Sequence, residues 1–576
     1  MSDFLLYYSR PNPTTWVYMS SFLTIGLFFV FRRFWSIRNL DIFLLILLAP
    51  GLLIVHEGYR QQLAQSESLA AQQVEEAAAR EDDSQASKNS SAVLSSDVLG
   101  AVPKQLQYLA ISAVAGPARV QSFIAPDGLN PGGPSYGKSE KRFRESSLTS
   151  GLPILALVDQ TLVNETLVNQ TLVNETGGNE DRNNDNLAVA DPAAEPSLES
   201  EQEAKRITPL EIQRVGFVYL FIVEALILLR LMLDPLMVRR PLLDPNLTSG
   251  GLTFIGISMF IFMMANVVNS DSRIQVTQGP ALGPGYAMMN MLPAIPTRPI
   301  SDAPGGVSPP MSSELTPSQR NLARIAKTLA IAAQLAIVIG IVLIANRHFG
   351  NLQAGVGCAT LYLMLPYTAQ MTGRVDHVVP AALLLWAILS YRRPMIAGVF
   401  MGLACGLVYY PLFLLPLWFS FYWQRGARGF LISVTAMLAL LIVCLSFDDS
   451  LTITEHLQRM FGVLNPNKDA SELRGFWALG LDPIWRLPVI VAFVILCVFF
   501  AIWPAQKNLA TLLSGSAAVM VAAQFWHGYG GGLYIAWFLP LLLLTIFRPN
   551  LQDRVATKVV SIRGDQRAGR STVSLD

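Results

Sequence analysis

The sequence predicts an all-α, polytopic integral membrane protein, and three observations predict it. The composition is 52% hydrophobic with only 14% charged residues over 576 positions, too apolar for a soluble chain of this length. Uncharged runs long enough to match a bilayer's hydrocarbon core recur along it. Basic and acidic residues are segregated, so the net charge of +1 carries no information about partners. No basic patch with interleaved aromatics points to nucleic acid.

At the N-terminus, Trp16 to Phe31 and Asp41 to Val55 read as a transmembrane hairpin within residues 1–56. The first run ends in Phe-Arg-Arg and not in a small-residue cleavage site, so it reads as a retained helix. The connecting loop carries Arg32, Arg33 and Arg38 and belongs in the cytoplasm by the positive-inside rule, which leaves the N-terminus outside. The chain then emerges at His56-Glu57.

Residues 57–206 form a polar, low-complexity extracytoplasmic insertion. Gln61 to Lys88 is rich in Ala, Gln and Glu, the composition of a surface helix. Thr161 to Thr176 is a tandem pentapeptide (TLVNE, TLVNQ, TLVNE), and its Asn-x-Thr triplets at Asn164, Asn169 and Asn174 read as low complexity, with a glycosylation array as the alternative. Glu180 to Glu203 holds eight acids against one arginine, the composition of a disordered linker.

A second transmembrane hairpin follows at 207–268, from the apolar runs Val215 to Leu233 and Gly251 to Ala265. Glu224 and Arg230 lie inside the first. Their spacing is poor for a helical ion pair, and snorkelling of Arg230 toward the interface accounts for it more simply. Residues 269–325 are polar and proline-rich, an external loop long enough to cover something.

The C-terminal core, 326–547, is denser in apolar runs: Lys327 to Ala345, Ala354 to Ala369, Asp376 to Ser390, Ile396 to Tyr410, Pro411 to Trp423, Phe430 to Phe447, Trp485 to Trp503, Leu509 to Trp526 and Leu533 to Phe547. The total is about 12–13 membrane segments. Reading Ile396 to Trp423 as two segments meeting at Tyr410-Pro411 puts Arg347, Arg392-Arg393, Arg425 and Arg428, Lys507 and the basic tail 548–576 all on the cytoplasmic side. The protein then lies in a plasma or inner membrane with its C-terminus in the cytoplasm. The four cysteines fall in apolar runs, where they serve as small hydrophobes.

This topology collects the polar groups with chemical potential at the external end: His56 and Glu57, the turn Arg374/Asp376/His377, Tyr409 and Tyr410, the loop from Asp448 and Asp449 to Asp482, and His527. Asp376 is the sole carboxylate between Glu314 and Asp448, and an acid so isolated in apolar sequence needs a polar exit or a role. Aromatic and polar residues also gather at helix ends simply because they are excluded from lipid. No HxxxH or HxH spacing marks a metal site.

From Arg374 to Trp423, AGVFMGLACGL (Ala397 to Leu407) followed by YYPLFLLPLW (Tyr409 to Trp418) resembles the C-type glycosyltransferase superfamily, in its polyprenyl-phosphate-sugar-dependent mannosyltransferase-like branch. The likeness covers about Ala326 to Phe547. It departs from the branch at Tyr409-Tyr410, where the family carries a lysine or another polar residue before the proline. The resemblance implies transfer from a lipid-phosphate sugar donor, with Glu57 or Asp376 as the base. Arg374, His377, Tyr409, Tyr410, Asp448, Asp449 and His527 are then the candidates to hold donor and acceptor, and a divalent cation is compatible with the chemistry. Two other classes stay open: a transporter or flippase, for which Glu224 with Arg230 is the one candidate internal pair, and a non-catalytic membrane scaffold.

Overall fold

The computed structural model describes residues 13–90, 208–237, 245–270, 317–445, 475–505 and 507–549, with short pieces at 243, 283–286, 289, 292–293, 295, 454–455 and 473. Met1–Arg60 with Asn184–Asp576 form one compact unit and Gln61–Asn183 another, of which 61–90 are described and helical. Among the described residues the regular elements are all helices, and seven of them are long and apolar enough to cross a membrane.

In chain order these are α1 (Pro13–Phe28), α2 (Ile37–Ser90), α3 (Pro209–Met232), α4 (Ser249–Asn269), α5 (Pro317–Ile344), α6 (Leu352–Met364), α7 (Pro366–Gln370), α8 (Val375–Leu389), α9 (Pro394–Leu407), α10 (Leu415–Tyr422), α11 (Ala427–Leu445), α12 (Arg486–Ile502), α13 (Leu509–Trp526) and α14 (Leu539–Phe547). Local sequence sets their starts. Thr208 and Glu211 cap α3 reciprocally, with Pro209 at the first helical position. Asn351 accepts from the Ala354 amide at the head of α6, and Asn508 from Thr511 at the head of α13.

α13 is the centre. It is buried on every side, as a helix that is apolar all round requires, while α3, α10, α12 and α14 pack about it. The outer helices bury one face and leave the other apolar and open: Phe254 of α4 is 73% exposed and Ile495 of α12 is 62% exposed. Outward faces of this kind suit contact with lipid, not water.

α9 and α11 run side by side in the same direction. Glycines at 398, 402 and 406 form a small-residue ridge on α9, and a Cβ added at Gly398 or Gly402 would come within 2.5 and 2.8 Å of the Phe430 and Val434 carbonyl oxygens. Between them the chain turns back. Gly426, at φ +92°, lies against Pro394, and the Tyr422 hydroxyl donates to the Tyr391 carbonyl at 2.6 Å. The segment 394–423 is therefore a two-limbed hairpin turning at Val408-Tyr410, so Arg392-Arg393 and Arg425 share one end of the bundle.

Further contacts extend that basic end. His348 is 3.0 Å from the Leu389 carbonyl, Phe28 meets Phe547 edge-on at 5.7 Å, and Arg548 pairs with Asp234. Arg230 in turn donates to both carboxylate oxygens of Asp41 (2.6 and 2.9 Å) and to Asp234 (3.3 Å). Arg230 is thus buried in a network joining α2, α3 and the end of α14. It neither snorkels nor pairs with Glu224, and the internal pair cited for a transporter is not formed.

Several boundaries differ from expectation. α2 does not end at Val55 but continues to Ser90, absorbing the separate surface helix read at 61–88. The run Ala354 to Ala369 breaks at Leu365-Pro366, where proline forces the preceding residue into an extended conformation. Leu533 to Phe547 is α-helical only from Leu539, after a tight turn at Ile535–Trp537. The pentapeptide, the acidic linker, and Asp448 and Asp449 lie outside the described residues.

Candidate functional site

Opposite the basic end, three chain reversals converge: the turn into α8, the hairpin tip after α9, and the loop after α13. Arg374 precedes α8 and Asp376 sits in its first turn, where a negative charge meets the unpaired amides of the helix start. The Arg374 Nε and Nη2 donate to the two Asp376 oxygens at 2.9 and 2.6 Å, a bidentate pair. The Trp537 indole donates to the Asp376 carbonyl at 3.4 Å. Burial works to lower the Arg374 guanidinium, but the Asp376 charge outweighs it and the group is held above its usual range.

His377 stands next in line. Its Nδ1 is 2.7 Å from the Tyr367 hydroxyl and its Nε2 3.6 Å from Asp376 Oδ2. From it a column of rings crosses the core. His377 stacks on Tyr534 (4.6 Å between centroids), Tyr534 on His527 (4.5 Å), His527 on Tyr410 (4.7 Å) and Tyr410 on Tyr409 (4.4 Å). Trp537 lies alongside, 4.4 Å from Tyr534 and 5.3 Å from Tyr410. Such spacings are those of attractive aromatic pairs.

The loop after α13 holds its part of the column by backbone hydrogen bonds. Gln524 Oε1 accepts from the Gly532 and Tyr534 amides at 3.2 and 3.3 Å, and His527 Nδ1 accepts from the Tyr529 amide at 3.0 Å. In the neutral imidazole the ring proton is therefore on Nε2. Burial, with Arg486 and His377 adding to it, pushes the His527 imidazole down to about 3.

A piece of the proline-rich loop lies over this end. The Gly285 amide donates to the Gly406 carbonyl at 2.8 Å, and Tyr286 is fully buried beside Arg374 and Asp376. Burial and then the Asp376 charge hold the Tyr286 phenol well above its ordinary range.

Six of the residues singled out from the sequence thus come together: Arg374, Asp376, His377, Tyr409, Tyr410 and His527. Glu57 is separate. It lies on α2, its side chain is 42% exposed, and it pairs with Arg60 at 3.4 Å. Tyr367, Tyr534, Trp537 and Tyr286 belong to the cluster and were not foreseen. The turn-forming HGYGGG before Tyr534 was the signal available for two of them. Among the described residues no three His, Cys, Asp or Glu side chains group as a metal site.

Among the described residues, fold and site together define an all-α arrangement with seven helices long and apolar enough to span a bilayer and one polar, aromatic end. The chain matches no protein-family model, no curated protein and no solved structure.

Proposed function

We propose that this protein is a multi-pass membrane glycosyltransferase that moves a sugar from a polyprenyl-phosphate donor to an acceptor hydroxyl at the Arg374/Asp376 end. In this reading about 12–13 segments cross the membrane and that end faces outside, with the basic end cytoplasmic. The observation that carries the reading is the bidentate Arg374–Asp376 pair beneath the aromatic column. A guanidinium fork recognises phosphate with the same geometry as carboxylate, so a donor phosphate competes with Asp376 for Arg374.

Engagement of the phosphate by Arg374 frees Asp376 to take the proton of the acceptor hydroxyl. The acceptor oxygen bonds to the anomeric carbon as the bond from that carbon to the phosphate oxygen breaks. The lipid phosphate leaves with its charge against Arg374, and a single displacement inverts the sugar carbon. Glu57, exposed at the same end, is the alternative base, and Asp448 and Asp449 remain candidates for donor binding.

The test is transfer in proteoliposomes supplied with polyprenyl-phosphate hexoses and mixed saccharide acceptors. Asp376→Asn is expected to lower transfer about 100-fold or more, the usual worth of a general base, with Glu57→Gln near the unmodified rate. Full transfer by the double variant Asp376→Asn/Glu57→Gln would remove both carboxylates from the chemistry.

A further inference from the structure

Among the described residues, the Glu224 carboxyl is the one buried acidic group that neither the ion-pair network nor the transfer reading uses. It lies in the second half of α3, is 0% exposed, and neither of its oxygens has a hydrogen-bond partner among the described residues. An ionised carboxylate left so in a membrane interior is costly, and acidic residues at that depth mark ion or proton sites.

Its surroundings define what it takes. One turn earlier Phe221 packs on Phe476 at 4.5 Å and on Phe525 at 5.2 Å. Facing it is Gly532, at φ +90°, where an added Cβ would lie 3.2 Å from Phe221 and 3.8 Å from Glu224 Oε2. The nearby amide of Gln524 is spent: its oxygen on the Gly532 and Tyr534 amides, its nitrogen on the Met520 carbonyl at 3.4 Å. A metal cation needs several oxygen ligands, whereas a proton needs one. Phenyl rings supply none.

The charged and titratable groups on the surrounding elements are committed elsewhere. Arg230, on α3 itself, is held by Asp41 of α2 and by Asp234, and Arg486 of α12 donates to the Trp526 carbonyl at 3.1 Å. His527 receives the Tyr529 amide, and its Nε2 is a second buried polar atom at this end without a partner among the described residues.

We propose that Glu224 is a proton-binding site in the core of the bundle, carrying its proton in the resting protein and facing the turn at Gly532. The inference does not depend on the transfer reading. The full-length protein in its membrane is treated at neutral pH with dicyclohexylcarbodiimide, a hydrophobic reagent that reacts with the acid form. The carboxyl O–H adds across a C=N bond and the adduct rearranges to a stable acylurea. Peptide mass spectrometry is expected to find the adduct on Glu224, to lose it in Glu224→Gln, and to find it unchanged by sodium or potassium chloride. Glu224→Gln, which keeps shape without charge, is expected to unfold within about 2 °C of the parent. Protection by sodium would make the site a metal-cation site and overturn the proposal. So would a Glu224 that reacts only after unfolding in dodecyl sulfate, or a larger loss of unfolding temperature in Glu224→Gln.

Discussion

The imidazole of His527 lies against the ring of Tyr410 with centroids 4.7 Å apart and planes 14° from parallel. One residue follows the central helix and the other forms the hairpin tip, so a single stacked pair ties two of the three chain reversals of the polar end. The consequences concern acid sensitivity, helix contact and charge pairing.

Acid should loosen this end through His527. Its folded value, near 3, lies below the ordinary imidazole value of about 6.5. The contribution is therefore fully present above pH 6.5 and is lost as pH falls toward 3, at about 1.4 kcal/mol per pH unit. Unfolding temperatures in detergent between pH 7 and 4 should fall for the parent protein and fall less steeply for His527→Phe. Parallel curves would show that other groups govern the acid transition.

The glycine ridge of α9 should tolerate no bulk. Gly402→Leu places a side chain where the Val434 backbone already lies, and overpacking of a tight contact costs about 1–3 kcal/mol or more. A substitution to leucine on the outer face of α12, at the 52%-exposed Val491, should be nearly neutral. Thermal unfolding monitored by size-exclusion chromatography separates the two.

Removal of one member of a buried ion pair costs more than removal of both. Arg230→Met alone leaves Asp41 and Asp234 without the partner that joins them, a loss of about 3–5 kcal/mol. Arg230→Met with Asp41→Leu should recover part of that loss. A double-mutant cycle on unfolding free energies reads the coupling, and simple additivity would mean that the network contributes nothing as a unit.

The two ends should label from opposite sides of the membrane. Glu57→Cys, at the polar end, is expected to react with a membrane-impermeant thiol reagent on intact cells. Gln424→Cys, exposed beside Arg425, is expected to react only after permeabilisation. The four native cysteines are free but largely buried, which keeps the background low.

Much of this arrangement was legible in the chain. The isolation of Asp376 picked out the turn where Arg374, Asp376 and His377 meet, and the basic clusters implied the hairpin now seen in the contact of Gly426 with Pro394. What escaped was non-local or hidden in apolar runs. The partner of Arg230 is Asp41, 189 positions away, and no periodicity links them. Tyr534 and Trp537 lay in a run read as one continuous span, because hydropathy does not distinguish a tight turn buried in protein from a helix in lipid. The break at Pro366 was written in the residues but outweighed by the length of the apolar run.

The central claim is that the polar end transfers a sugar from a lipid phosphate, and the most direct measurement is the product of one turnover. Purified protein in proteoliposomes, given a polyprenyl-phosphate hexose of known anomeric configuration and an acceptor, should release polyprenyl phosphate and form a glycoside of the opposite configuration, resolved by nuclear magnetic resonance. Polyprenyl phosphate release no greater than in protein-free liposomes, or a glycoside that keeps the donor's configuration, would contradict the account.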